Sequence, residues 1–299
     1  MITPGRAWYL VHSRFRHGLR TFYYRDLVRP RILSTAPVKQ TVSDVCEIHV
    51  LTSESDLLNM LWALKSFYRI SGSTFKLCIH DDGSLQRASR ELLSNHFPNA
   101  RLILRSDADL VMNEALQSYP LCKQLRASHC LALKLFDFLH YLESDRLLLI
   151  DSDILFFRHP TELLRRIEDP TYLCNTVNGD VKDSYTVTAD AVREQCGFFL
   201  QSRFNSGLGL IHRKSVTFAD VERYLSLPNI TSHPWLIEQT LFALCSSQHG
   251  VQLLPQDYDV SLATPLEARP CRHYVGAIRH LLYDEGIRKL VQTGFLRQN

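Results

Sequence analysis

Two aspartates one residue apart, Asp151 and Asp153, interrupt an apolar run, LLLIDSDILFF at residues 147–157. A carboxylate leaves water at high cost unless it is ion-paired, hydrogen-bonded or bound to a metal. In extended chain, residues i and i+2 share a face, so both carboxylates can reach one ion while Ser152 points the other way. Two carboxylates leave coordination positions for water, a substrate phosphate and a further protein ligand, as divalent-cation sites at phosphates do. The plainer alternative is a strand that ends in an Asp-rich turn. Four other polar groupings stand inside or beside apolar stretches: Asp81-Asp82 in DDGS, Asn205-Ser206-Gly207 in FNSGLGLIH, Glu238-Gln239 in WLIEQTLFAL, and His273 in HYVGAIR.

The elements around these residues follow a regular pattern from about residue 44. VCEIHVLTS reads as a strand, and DLLNMLWALKSFYRIS as a helix with Leu57, Leu61, Leu64 and Tyr68 on one face. FKLCIH is a second strand closed by the DDGS turn, QRASRELLSNHF a helix ended by Pro98, and ARLILR a third strand. LCKQLRASHCLALKLFDFLHYL reads as one longer helical region leading into the strand RLLLIDSD. Alternating strands and helices imply right-handed crossovers and a largely parallel sheet. Ligands of such sheets bind beyond the carboxyl ends of the strands, so Asp81-Asp82 and Asp151-Asp153 fall on one rim.

The second half is less regular. Residues 176–200 read as a long loop with one short helix, FNSGLGLIHR as a strand, and SVTFADVERYLSL and HPWLIEQTLFALCSS as helices. QLLPQDYDV and CRHYVGAI are short extended pieces, and EGIRKLVQTG is a terminal helix. The expectation is a basic N-terminal extension, residues 1–40, followed by one domain over 41–299.

Composition is that of a globular protein: 299 residues, 45% hydrophobic and 22% charged. No apolar run reaches the roughly 18–20 residues of a membrane-spanning helix, and the N-terminus lacks the form of a secretory signal. Eight cysteines are scattered without a Cys-x-x-Cys pair, which fits buried thiols in a reducing, cytoplasmic setting. The net charge of +3 divides into +7 over residues 1–40 and −4 over the remainder. The basic segment, HSRFRHGLRTFYYRDLVRPRIL, carries aromatics among its arginines and could touch anionic lipid. The commoner arrangement has the arginines solvated while Leu, Phe and Tyr pack on the domain. A slightly acidic globular remainder argues against nucleic acid as a partner.

The motifs and their order resemble the nucleotide-sugar glycosyltransferases of the GT-A fold, most closely the glycogenin-like family 8 group. The resemblance covers roughly residues 45–280. That family follows a hydrophobic strand with Asp-x-Asp, then carries Asn-(Ser/Ala)-Gly, an acidic-Gln pair on a helix and a C-terminal His-(Phe/Tyr)-x-Gly-x-x-Lys. The resemblance implies an α/β fold of GT-A type: a Rossmann-like mixed, largely parallel sheet flanked by helices. It implies a divalent cation held by Asp151, Asp153 and His273. A neutral imidazole beside two carboxylates suits Mn²⁺ better than Mg²⁺. Glu238 and Gln239 would lie near the anomeric carbon, and Asn205, Ser206 and Gly207 would present amide, hydroxyl and bare backbone to sugar hydroxyls. Thr52, Asp82, Lys134, Ser152, Gly276 and Arg279 would contact the donor. Asp82 echoes a base-contacting Asp of family 2 enzymes, although a simple turn explains DDGS equally well. Lys134 stands where the family usually has Arg; as a plain residue it is a solvated lysine on a helix. Arg279 replaces the usual Lys, and His280-Leu281 replaces the Pro-Trp that often follows.

The expected activity is metal-dependent, retaining transfer from a nucleotide sugar, with a UDP-sugar the expected donor and a glycan, lipid or protein acceptor. Two alternatives remain at this level. Haloacid-dehalogenase phosphatases also begin with a hydrophobic strand and Asp-x-Asp, but normally near the start of their domain and followed by Thr or Val where this chain has Leu155. An inactive nucleotide-sugar-binding scaffold would need none of the Asp-x-Asp, Glu-Gln and His groups.

Overall fold

The computed structural model describes residues 14–38, 43–264 and 268–297. The apolar AWYLV stretch of the N-terminus lies outside the described residues.

Seven strands form one sheet, in the order β3-β2-β1-β4-β7-β6-β8. They are β1 (Ser43–Thr52), β2 (Phe75–Asp81), β3 (Arg101–Ile103), β4 (Arg146–Ile150), β6 (Asn175–Gly179), β7 (Phe204–His212) and β8 (Val251–Leu253). Strands β1 to β4 run parallel, as does the pair β6/β8, while β7 runs antiparallel to both β4 and β6. β5 (Ile154–Phe156) and β9 (Cys271–His273) form a separate antiparallel ribbon.

A buried strand with apolar residues on both faces explains the unbroken run before Asp151. Leu148 and Ile150 face one hydrophobic layer, built on the Leu57–Ser71 helix. Leu147 and Leu149 face the other, built on the Leu133–Tyr141 and Pro234–His249 helices. The Leu57–Ser71 helix is buried almost all round rather than along one stripe, because the N-terminal segment covers its outer side. Val28 and Ile32 belong to the core, the Trp62 indole donates to the Arg29 carbonyl (3.0 Å), and the Lys65 ammonium donates to Thr35 and Ala36.

Two expectations are corrected. The region expected as one helix breaks at His129, which is extended (φ −141°, ψ 121°), into Pro120–Ser128 and Leu133–Tyr141. A buried two-bond ion pair, Arg126 to Asp137 at 2.8 Å, fixes the corner. Residues 175–179 are a sheet strand, not loop. Its polarity hides it: Asn175 is fully buried, yet its amide donates to Ser215 and Ser246 and accepts from the His212 N–H.

Candidate active site

Because β7 opposes its neighbours, its first residues lie on the rim formed by the carboxyl ends of β4 and β6. Asp151 follows β4, and its N–H donates to the Gly207 carbonyl of β7 (2.8 Å). The turn at Ser152 leads into β5, whose Ile154 pairs with His273 of β9, and the Tyr274 N–H donates to the Asp153 carbonyl (3.0 Å). This ribbon carries His273 from a distant part of the chain to the aspartates. Ligand atoms of Asp151, Asp153 and His273 then lie within 4.8 Å of one another.

Asn205 sets the imidazole. Its amide nitrogen faces the Asp180 carboxylate (3.2 Å), so its oxygen must face His273 Nδ1 (3.0 Å). A carbonyl oxygen only accepts, hence Nδ1 carries hydrogen and Nε2 points at the carboxylates. Nε2 lies 3.1 Å from Asp153 Oδ1 and 3.9 Å from Asp151 Oδ2. Burial alone would lower the imidazole pKa, but Asp153 and Asp151 outweigh it and raise it. Burial pushes Asp153 the other way, and His273 and Arg279 hold it below its ordinary value. The carboxylates thus demand a positive charge at Nε2, which a proton or a divalent cation can supply. The donor set of two carboxylates and one oriented imidazole fits the cation that the sequence implies.

Lys134 is no solvated lysine. It is 3% exposed, with its ammonium 3.0 Å from Asp151, 3.0 Å from Glu238 and donating to the Ser206 carbonyl at 3.0 Å. Burial disfavours its charge, but the two carboxylates overcome that and raise its pKa. The Ser206 hydroxyl donates to the other Glu238 oxygen (2.8 Å). The Gln239 oxygen accepts from the Ser206 N–H (3.3 Å), and its nitrogen donates to the Ser184 carbonyl (3.2 Å). All three residues of Asn205-Ser206-Gly207 lie within β7, in agreement with the reading of FNSGLGLIHR as a strand.

Arg279 is half-exposed and paired with both Asp56 (2.6 Å) and Asp153 (3.3 Å). Gly276 opens the short Gly276–Ile278 turn, with open space where a side chain would stand. Thr52 and Asp82 lie on the same rim, one and two strands from β4. The Thr52 carbonyl accepts from the Asp82 N–H (3.1 Å). The Asp82 carboxylate accepts from the Ser84 N–H (3.0 Å) and hydroxyl (2.6 Å), which shapes the turn. Gly83 in that turn has φ +103°, a conformation that favours glycine.

Sequence reasoning missed Asp180, which follows β6 and orients both Asn205 and Gln239, and Asp56, which anchors Arg279. The dipeptide Gly179-Asp180 after a polar strand was the available signal. A second group of metal-ligand types, His49, Cys78 and His80, lies buried between β1 and β2. There His49 Nδ1 and His80 Nε2 share a 2.9 Å hydrogen bond beneath Phe138.

No protein-family model matches the chain, and no curated protein matches its sequence. Solved structures do match. A galactosyltransferase, LgtC in complex with donor and acceptor sugar analogs, has a TM-score of 0.52 and 16% identity over 83% of this chain and 95% of its own. Mouse xyloside xylosyltransferase 1 in its apo form has a TM-score of 0.50 and 14% identity over 81% and 99%. The WbbM bifunctional glycosyltransferase has a TM-score of 0.53 and 12% identity, over 88% of this chain and 53% of that one. The fold is of GT-A type. The GT-A rim is where Asp151, Asp153, His273, Glu238 and Gln239 converge.

Proposed function

We propose that the protein is a metal-dependent glycosyltransferase, moving a sugar from a nucleotide-sugar donor, foremost a UDP-sugar, to a glycan, lipid or protein acceptor with retention. One observation carries this: the Asp151–Asp153–His273 triad and the Glu238–Gln239 pair belong to a single hydrogen-bonded network on the GT-A rim. The structural neighbours are named as glycosyltransferases, and one was seen with donor and acceptor sugar analogs, which supports sugar transfer here.

A bound cation supplies charge neutralisation for a diphosphate leaving group, and this donor set favours Mn²⁺ over Mg²⁺. Asp151 and Asp153 offer the carboxylates, and Asn205 keeps His273 Nε2 turned to them. Lys134 sits behind the triad, holding Asp151 and Glu238 in register rather than reaching for phosphate. Arg279, half-exposed beside Asp153, is placed to share a phosphate charge. Ser206 and Lys134 fix the Glu238 carboxylate, while Asp180 and Ser184 fix the Gln239 amide, so that this pair meets the donor sugar in one orientation. Thr52, Asp82, Ser152 and Gly276 line the approach for the rest of the donor. The unpaired cysteines support a reducing, cytoplasmic setting. The arrangement disfavours a dehalogenase-like phosphatase, since Asp153 takes its partner His273 from β9, 120 residues further along the chain.

A screen of UDP- and GDP-sugars for Mn²⁺-dependent hydrolysis or transfer tests the proposal. Asp153→Asn is expected to abolish metal-dependent turnover while leaving the fold intact by circular dichroism. Full activity in that variant would sink the metal assignment. Calorimetry showing no Mn²⁺-dependent UDP binding by the intact protein would favour a scaffold that has lost activity.

A further inference from the structure

The N-terminal segment does not bury its apolar residues in the way its composition suggests. One face packs inward: Thr21, Val28 and Ile32 are buried. On the outer face of the helical stretch stand Leu19, Tyr23 and Leu27, four residues apart, at 75%, 48% and 55% exposure, while Phe15, before the turn at Gly18 (φ +89°), packs on Phe22. Isolated exposed leucines are ordinary, but a row of three large apolar groups on one ridge marks an interaction surface.

Charge selects the partner. Residues 14–34 contain six arginines and one acid, Asp26, for a net charge of +5. Asp26 is taken up by Arg14 and Arg25 at 3.0 Å. Arg14, Arg16, Arg20 and Arg31 are exposed beside the ridge. A second copy of this surface would be repelled by it, whereas a bilayer carrying anionic headgroups satisfies both the apolar row and its basic flanks.

The ridge is also tied to the site. His17 stacks on His280 at 4.2 Å, Arg20 pairs with Asp284 at 3.2 Å, and Arg29 lies over Tyr283 at 5.3 Å. Arg279, beside His280, contacts Asp153. We propose that the outer face of residues 19–27 docks the protein on an anionic membrane surface, on the side of the domain where the segment bearing Arg279 and His280 meets it. Its placement beside a transfer site rests on the glycosyltransferase assignment; the docking itself does not.

Flotation of the full chain with vesicles of phosphatidylcholine, with and without about 30 mol % phosphatidylglycerol, tests it. Binding is expected only with the anionic lipid, and should fall as salt rises from about 0.1 to 0.5 M. Leu19→Glu/Leu27→Glu should lower the bound fraction about tenfold or more. Leu110→Glu, a change at an equally exposed leucine elsewhere (77%), should not. Equal binding to neutral vesicles, binding unchanged in the double variant, or no binding would overturn the proposal. So would a dimer in light scattering that the double variant dissolves. Mn²⁺-dependent UDP binding, measured in parallel, separates the two assignments: vesicle binding without it would leave docking standing and remove the transferase, and the converse would do the reverse.

Discussion

At the scale of single residues, Gly207 does more than keep a strand narrow. A methyl group there would fall 2.7 Å from His273 Nδ1 and closer still to Cε1, while Nδ1 already holds Asn205. The imidazole would have to leave the carboxylates. Gly207→Ala is therefore expected to weaken Mn²⁺-dependent UDP binding by about 10–100-fold, the usual cost of disturbing a ligand's orientation, with global stability less affected. Titration calorimetry of the variant checks this, and affinity equal to the parent would show that His273 is not a ligand. Much of the site was legible at this scale because Asp-x-Asp, Asn-Ser-Gly, Glu-Gln and His-Tyr-Val-Gly each carry a local signature. Lys134 was legible only as a donor contact and Asp180 not at all, since their meaning lies in partners: the first neutralises two carboxylates, and the second orients two amides.

Among the elements, β1 and β4 could be read from apolar content because both faces of the sheet are covered. β6 could not, because its buried polar side chains find hydrogen-bond partners that only the folded sheet supplies. β1 itself holds a buried acid, Glu47, which accepts from Arg101 (2.6 Å) and from the Glu143 N–H (2.8 Å) and lies 3.4 Å from His49. Burial pushes this carboxyl up, but those contacts outweigh it and bring its pKa from 4.5 to about 2. A folded-state pKa below the unfolded value gives stability that is present above about pH 4.5 and lost as pH falls toward 2. Glu47→Gln should lower stability at neutral pH by roughly 2–3 kcal/mol and flatten the acid limb between those values. Urea unfolding across the acid range reads both effects, and an unchanged slope would exclude Glu47 as their source.

For the molecule as a whole, part of the basic segment expected as an N-terminal extension packs on the domain. Residues 28–36 complete the core and supply oxygen partners for the Lys65 ammonium. Deleting residues 1–34 should therefore lower the unfolding temperature markedly, whereas Leu19→Glu/Leu27→Glu should change stability by no more than about 0.5 kcal/mol. Calorimetric scans of the two proteins make the comparison, and a truncated chain as stable as the parent would mean that the segment adds nothing to the domain's stability. Charge asymmetry betrayed the basic segment in the sequence, but not which of its faces turns outward, because arginines and apolar residues alternate along it. The β5/β9 ribbon has a temporal consequence. Asp153 and His273 are 120 residues apart in the chain, yet they share one site. Contacts of such long sequence separation form late in folding. During synthesis the aspartates leave the ribosome well before their histidine partner exists. The triad can be completed only after residue 273 has emerged, so a polypeptide that stops short of it lacks the imidazole of the candidate metal site.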